Sequence, residues 1–167
     1  MTLDQFRPHV QGGIMQPAVD LIRKIGGVTP NALTIASFLV SALAGIAFYA
    51  GGGVVLGTIM VAFNAVFDAL DGGALARDMG GIAGLRGDFL DHVIDRYADI
   101  FIITGIFAGG GAAPWQIGGV FALTGVLMSS YLGTQAQAVG GVGRVYGGIL
   151  GRADRLVLII IAGASRC

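Results

Sequence analysis

Charged residues and cysteine are scarce in this sequence of 167 residues. Only 12% of the residues are charged, about half of the share in an average soluble domain. The single cysteine, Cys167, excludes an intramolecular disulfide and a thiolate metal cluster. Basic and acidic residues number ten each and leave a formal net charge of zero, so we expect no nucleic-acid partner.

Apolar residues are abundant instead. They make up 54% of the chain, and the mean hydropathy is +0.79. This composition excludes a disordered chain and is unlike that of an ordinary soluble domain. The first residues are too polar for a signal peptide, so insertion depends on internal spans. We therefore expect an all-α integral membrane protein in contact with membrane lipids.

Apolar segments of helical length define the expected organisation. About 20 apolar residues in a helix cross a hydrocarbon core of about 30 Å. The first span begins at Thr29-Pro30-Asn31, a hydroxyl N-cap followed by a proline in the first turn. We predict one polytopic transmembrane helix bundle over residues 1–167. Its segments are an amphipathic interfacial helix at about 14–25, spans at about 30–49, 54–71, 88–108 and 114–132, and an incomplete fifth span at 145–164.

Most basic residues lie on one side of these predicted spans. They occur before the first span, between the second and third, and after the fourth, whereas the turns at 50–53 and 109–113 carry no charge. By the positive-inside rule, the N-terminus and the loop between spans two and three face the cytoplasm. We expect a protein of the cell membrane whose active site faces the cytoplasm.

Aspartate supplies every acidic group, because no glutamate occurs. Seven of the ten acidic residues lie between Asp68 and Asp99. Asp68 and Asp71 are three residues apart, and a second series follows at spacings of three and four, so each set shares one helix face. The second series is Asp88, Asp91, Asp95 and Asp99. Antiparallel packing of spans two and three would bring both sets together at the cytoplasmic side.

Several carboxylates in a small volume of an apolar protein repel one another unless a cation compensates them. Oxygen ligands without a histidine or thiolate cluster favour Mg²⁺, Mn²⁺ or Ca²⁺ over zinc. Two such cations about 4 Å apart would suit phosphoryl-group chemistry on a pyrophosphate. The alternative is that these aspartates cap helices or pair with Arg86 and Arg96.

The acidic pattern resembles a known signature. The segment Asp68-x-x-Asp71-Gly72, then Ala76-Arg77, then Gly87-x-x-x-Asp91-x-x-x-Asp95 is similar to that of the CDP-alcohol phosphotransferase family, integral membrane enzymes of phospholipid synthesis. Two flanking segments extend the resemblance: Thr29-Pro30-Asn31 with Thr34 at the first span, and Gly151 to Leu156 at the fifth. The pattern is closest to the branch of the family that uses inositol phosphate.

The resemblance implies two divalent cations, Mg²⁺ or Mn²⁺, that grip the pyrophosphate of a CDP-linked lipid. The implied metal ligands are Asp68, Asp71, Asp91 and Asp95. Asp91 and Asp95 are the implied catalytic residues, with Asp95 as the general base that deprotonates the incoming hydroxyl.

Substrate contacts follow from the same resemblance. The residues expected to bind the CDP-linked lipid are Asn31, Thr34, Gly72, Ala76, Arg77 and Gly87. Arg152 and Arg155 are expected to hold the phosphate of a phosphorylated alcohol acceptor. The alternative for these two arginines is snorkelling to the interface, with Asp154 as their partner.

The sequence departs from the family pattern in two respects. The family has two residues between the signature glycine and the Ala-Arg pair and eight before the next glycine, whereas this chain has three and nine. Either Gly72 or Gly73 is therefore an extra residue, which affects where Ala76 and Arg77 lie relative to the metals. The family also has six spans, so we expect a chain truncated after an incomplete fifth span.

The leading hypothesis is a transferase that moves a phosphatidyl-type group from a CDP-linked lipid to an alcohol acceptor and releases CMP. Arg152 and Arg155, together with the resemblance to the inositol-phosphate branch, favour inositol phosphate or glycerol phosphate over a zwitterionic amino alcohol as the acceptor, and we expect a homodimer. Two alternatives are open. One is a membrane prenyltransferase, which also uses aspartates and magnesium, and the other is a non-enzymatic membrane protein that handles divalent cations.

Overall fold

The computed structural model describes residues 16–25, 28–51, 53–70, 85–110, 113–140 and 151–165. Within these ranges every regular element is an α-helix, which confirms the all-α class. The helices are α1 (Gln16–Ile25), α2 (Pro30–Tyr49), α3 (Val54–Ala69), α4 (Leu85–Gly109), α5 (Ala113–Gly140) and α6 (Arg152–Ala164).

The start of α2 follows its capping residues. The Thr29 hydroxyl accepts a hydrogen bond from the backbone N–H of Ala32 at 3.2 Å, and Pro30 occupies the first turn. The helix ends in the tight reversal expected at residues 50–53, where Gly51 has a φ of 72°. Glycine adopts this left-handed conformation without the steric cost of a Cβ, so α3 returns directly alongside α2.

Two apolar clusters hold the helices together. Near the start of α2, Val19 of α1 packs with Leu33 of α2 and Leu70, which follows α3. Deeper in the bundle, α2, α3, α4 and α6 each contribute one buried residue to a second cluster. Its members are Ala44, Val61, Ile102 and Leu156. Helix α2 is central because it packs against both α3 and α4, whereas α6 lies on α3 and α5 lies on α4.

The contact between α2 and α4 depends on glycine. A Cβ at Gly45 would lie 2.5 Å from the backbone oxygen of Phe101, and a Cβ at Gly105 would collide with the backbone of Gly45. Small residues at such a crossing let two backbones approach closely, which is a common way to pack helices in membranes.

The outer surface of the bundle is apolar. Leu39, Leu43 and Ile46 of α2 are exposed, as are Phe121 and Leu132 of α5. Both α2 and α5 are long and apolar enough to cross a bilayer, and α3 is a shorter apolar helix. Exposed apolar faces of this extent suit contact with lipid. The protein is therefore an all-α transmembrane helix bundle, preceded by the short amphipathic helix α1.

Some helix limits differ from the expected spans. Helix α4 begins at Leu85, before the expected 88, and α5 continues to Gly140, past the expected end at 132. The apolar run stops at Leu132, but the residues after it include no proline and several good helix formers. The helix therefore extends beyond the apolar segment that marks the membrane span. The expected positions 14–15, 71 and 145–150 lie outside the described residues, and the single-domain assignment stays a prediction.

Replacing Gly105 by alanine tests the close packing of α2 and α4. We expect Gly105→Ala to lower the free energy of unfolding by about 1–3 kcal/mol, because the added methyl group forces the two backbones apart. The matched control is Gly125→Ala on α5, where a Cβ would meet nothing within 4 Å. The readout is the thermal unfolding midpoint in detergent, and equal midpoints for the two variants would contradict the packing described.

Candidate metal centre and its arginine partners

Three aspartates from two helices meet at one end of the bundle. Asp68 lies near the end of α3, and Asp91 and Asp95 lie one turn apart on α4. One carboxylate oxygen from each residue lies within 4.8 Å of those of the other two. Asp68 is buried, whereas Asp91 and Asp95 are half-buried. The structure thus brings together three of the four residues that the sequence predicts as metal ligands.

Helix packing explains this convergence. On α4, Asp91 and Asp95 continue the face that carries Ala98 and Ile102 deeper in the bundle, at helical spacings of four, three and four. Ala98 and Ile102 are buried in the core. Asp91 and Asp95 lie on the same face of α4, so they also point toward the inside of the bundle. On α3, the burial of Leu70 in the first apolar cluster fixes the end of the helix beside Asp68.

The three carboxylates fit a divalent cation. Hard cations take oxygen ligands at about 2.0–2.6 Å, so oxygens within 4.8 Å of one another can share a single ion. Asp71, the fourth expected ligand, lies outside the described residues.

Arg152, the first residue of α6, joins this cluster. Its Nη1 atom donates to Oδ1 of Asp68 and lies 2.5 Å from Oδ1 of Asp95. The side chain is only 9% exposed. One guanidinium group thus connects α3, α4 and α6. The Nε and Nη2 atoms of Arg152 are also buried, and neither has a hydrogen-bond partner among the described residues.

Arg155 forms a second ion pair one turn further along α6. Its Nη2 atom donates to Oδ2 of Asp99 at 2.9 Å, and the Asp99 side chain is 5% exposed. Arg96 lies nearby, with Nη1 at 3.8 Å from the same Asp99 oxygen and Nη2 at 3.9 Å from Oδ2 of Asp95. The pairing of both α6 arginines with aspartates of other helices was not anticipated from the sequence.

Asp154 lies in the first turn of α6. Its carboxylate accepts a hydrogen bond from the backbone N–H of Gly151 at 2.9 Å. It therefore caps the start of α6 and supports the helix that carries both arginines.

The residues expected to bind the CDP-linked lipid are only partly described. Asn31 is exposed in the first turn of α2, and Gly87 lies near the start of α4. Thr34 is buried, and its hydroxyl donates to the backbone oxygen of Pro30 at 3.1 Å. Gly72, Ala76 and Arg77 lie outside the described residues, so this binding role stays a prediction.

The sequence did not predict a buried polar pair that lies near the cluster. Asn64 of α3 is fully buried, and its Nδ2 atom donates to the hydroxyl and the backbone oxygen of Ser37 on α2 at 2.8 and 3.0 Å. A polar residue inside an apolar span usually requires such a partner. The position of Asn64 in its span was the available signal, but the sequence did not identify Ser37 as the partner.

These features, an all-α membrane bundle with clustered aspartates near the ends of two helices, suit a membrane enzyme that uses divalent cations to act on a phosphate-linked substrate. Residues 27–165 match the family model described as CDP-alcohol phosphatidyltransferase. The chain belongs to this family, and it is a transferase. Membership selects the transferase hypothesis over the prenyltransferase and the cation-handling protein, and it confirms the resemblance seen in the sequence.

Curated relatives share most of their length with this chain. The archaetidylinositol phosphate synthase of Pyrococcus horikoshii is 39% identical over 96% of this chain and 81% of its own. The enzyme of the same name from Methanothermobacter thermautotrophicus is 37% identical over 97% and 76%. The solved phosphatidylinositol phosphate synthase of Mycobacterium tuberculosis, with CDP-DAG bound, matches with a TM-score of 0.76 at 30% identity over 92% of this chain and 77% of that one.

The bridge made by Arg152 is testable through stability. We expect Arg152→Gln to lower the free energy of unfolding by about 3–5 kcal/mol, because it leaves the buried carboxylates of Asp68 and Asp95 without their positive partner. Added Mn²⁺ should reduce this deficit by supplying positive charge at the same carboxylates. The readout is the thermal unfolding midpoint with Mn²⁺ and with EDTA.

The control for this prediction is Lys24→Gln, which removes an exposed positive charge from α1. A deficit in Arg152→Gln that is equal in Mn²⁺ and in EDTA would contradict a shared carboxylate site.

Proposed function

We propose that this transferase uses a phosphorylated alcohol, inositol phosphate, as the acceptor of the phosphatidyl- or archaetidyl-type group of a CDP-linked lipid. The observation that carries the proposal is the side-by-side placement of the three carboxylates and the buried guanidinium of Arg152. The relatives' names, archaetidylinositol phosphate synthase and phosphatidylinositol phosphate synthase, support the choice of acceptor.

The carboxylates of Asp68, Asp91 and Asp95, together with Asp71, hold divalent cations in this proposal, two ions of Mg²⁺ or Mn²⁺. The oxygen-only donor set and the separation of the three described carboxylates support it. When bound, the cations neutralise the pyrophosphate and the charge that develops on the departing CMP.

Asp95 serves as the general base. Its Oδ1 atom faces Arg152 at 2.5 Å, whereas Oδ2 lies at the longer distance of 3.9 Å from Arg96 and takes the proton of the acceptor hydroxyl. The hydroxyl oxygen then bonds to the lipid-bearing phosphorus, and the bond from that phosphorus to the oxygen of CMP breaks. The half-buried position of Asp95 keeps this oxygen in a restricted volume beside Asp68 and Asp91.

Arg152 supplies the acceptor site with a phosphate-binding edge. Its Nη1 atom is used by Asp68 and Asp95, whereas Nε and Nη2, which form the side edge of the guanidinium plane, have no hydrogen-bond partner among the described residues. Two parallel N–H donors on one edge match two oxygens of a phosphate. Arg155 adds positive charge one turn away.

Other parts of the assignment stay predictions. They are the CDP-lipid contacts at Asn31, Thr34, Gly72, Ala76, Arg77 and Gly87, the homodimer, and the cell-membrane location with the site facing the cytoplasm. The placement of Asn31 and Thr34 at a helix start, where backbone N–H groups favour anions, supports the first.

Loss of one carboxylate should strongly reduce turnover. We expect Asp91→Asn to reduce CMP release by at least about 100-fold, because even outer groups at metal sites change activity by 10–100-fold and this residue would contact the ion itself. Purified protein with CDP-linked lipid, inositol phosphate and Mg²⁺ provides the assay, with EDTA as the metal-free arm. Asp20→Asn, a change at an exposed aspartate of α1, is the control. Release of CMP by Asp91→Asn at the control rate would refute the role of Asp91.

The acceptor is identified by a panel of alcohols in the same assay. We expect CMP release with inositol phosphate and little with inositol, because the unphosphorylated alcohol cannot use the free edge of Arg152. Glycerol phosphate separates recognition of a phosphate alone from recognition of the inositol ring. Equal rates with inositol and inositol phosphate would contradict a phosphate-binding edge.

A further inference from the structure

Asp99 lies outside the metal cluster, yet it is more deeply buried than Asp95. It follows Asp95 by one turn of α4, and it is absent from the group of carboxylates that can share an ion. Its side chain is 5% exposed, and Oδ2 accepts the hydrogen bond from Arg155 at 2.9 Å. The proposed function gives this carboxylate no task.

The ion pairs between α4 and α6 form two rungs. Asp95 pairs with Arg152, and Asp99 pairs with Arg155. The second ion pair lies further along both helices than the first. Four residues separate Asp95 from Asp99 on α4, and three separate Arg152 from Arg155 on α6. The backbone of α6 packs against α3, and these arginine side chains reach from α6 to α4. The two rungs therefore set the register between α4 and α6.

The carboxylates of the two rungs differ in their other binding partners. Asp95 belongs to the candidate metal cluster, so cations and Arg152 share it. Asp99 lies outside that cluster and forms ion pairs with Arg155 and Arg96. Asp99 therefore pairs with Arg155 without also belonging to the candidate metal cluster. Arg96 lies between the two rungs, 3.9 Å from Asp95 and 3.8 Å from Asp99.

Burial of a charged pair is costly unless its geometry is good. A well-formed pair at this depth contributes little net stability over apolar side chains of the same size, but it fixes the position of its members. Arg152, one turn before Arg155, must hold a fixed position to bind a phosphate, because a displacement of about 1 Å in a site changes rates strongly.

We propose that Asp99 is a positioning residue for the acceptor site: it holds Arg155, and with it the first turn of α6, where Arg152 faces Asp68 and Asp95. The inference rests on the proposed function, because it gives the acceptor phosphate to the α6 arginines. It assigns to Asp99 control of acceptor affinity, separate from metal binding and from the CDP-linked lipid.

The test is a kinetic comparison of Asp99→Asn with the unchanged protein. We expect the KM for inositol phosphate to rise about tenfold or more, since loss of a charge-assisted hydrogen bond is worth about this factor in affinity. The KM for the CDP-linked lipid and the binding of Mn²⁺, followed by electron paramagnetic resonance, should stay within about twofold, well below the factor of ten that follows from 1.4 kcal/mol. Asp99→Glu keeps the charge and should restore part of the acceptor affinity.

Asp20→Asn, at an exposed position of α1, serves as the control and should leave all of these constants unchanged. A variant Asp99→Asn whose kcat falls while the acceptor KM stays constant would show a structural role only and would overturn the proposal. If Asp99→Asn does not fold, Asp99→Glu decides: a raised acceptor KM with an unchanged lipid KM supports the proposal, and an unchanged acceptor KM overturns it.

The two proposals fail in different ways. An unchanged protein that releases no CMP with any phosphorylated alcohol contradicts the proposed function and this inference with it. An active protein whose acceptor KM is insensitive to Asp99 contradicts the positioning role alone.

Discussion

Negative charge confined inside an apolar bundle is the constraint on which this structure depends. Asp68, Asp91 and Asp95 place carboxylate oxygens within 4.8 Å of one another, an arrangement that mutual repulsion opposes unless positive charge is supplied. Arg152 supplies part of it through a side chain that is almost fully buried. The family's divalent cations would supply the rest. The same carboxylates that make the site costly to fold therefore suit it to divalent cations.

The bundle brings these charges together through its apolar and glycine contacts. Helices α2 and α4 approach closely through Gly45 and Gly105, and the cluster of Ala44, Val61, Ile102 and Leu156 joins four helices below the site. These contacts fix α3, α4 and α6 relative to one another. The carboxylate of Asp68 then lies near the end of α3, and Arg152 lies at the start of α6.

Much of this arrangement was predictable from the sequence. The residue types at the start and end of α2 predicted the Thr29 cap and the glycine reversal. The helical spacing of the aspartates, with antiparallel packing of α3 and α4, predicted the approach of Asp68 to Asp91. The partners of Arg152, Arg155 and Asn64 did not follow, because they join helices far apart in sequence and depend on which faces pack. Helix α5 also continues past the expected span to Gly140, since an apolar run marks the membrane-crossing part rather than the whole helix. Local periodicity thus located the carboxylates, and tertiary packing decided their counter-charges.

The central claim, that carboxylates of two helices jointly hold the cations that bind the activated lipid, is tested most directly by anomalous diffraction from crystals grown with Mn²⁺ and a CDP-linked lipid. The account predicts an anomalous peak within coordination distance of Asp68, Asp91 and Asp95, about 2.0–2.6 Å from their oxygens, and in contact with the pyrophosphate. A pyrophosphate bound elsewhere, or Mn²⁺ peaks only at sites away from these three carboxylates, would contradict it.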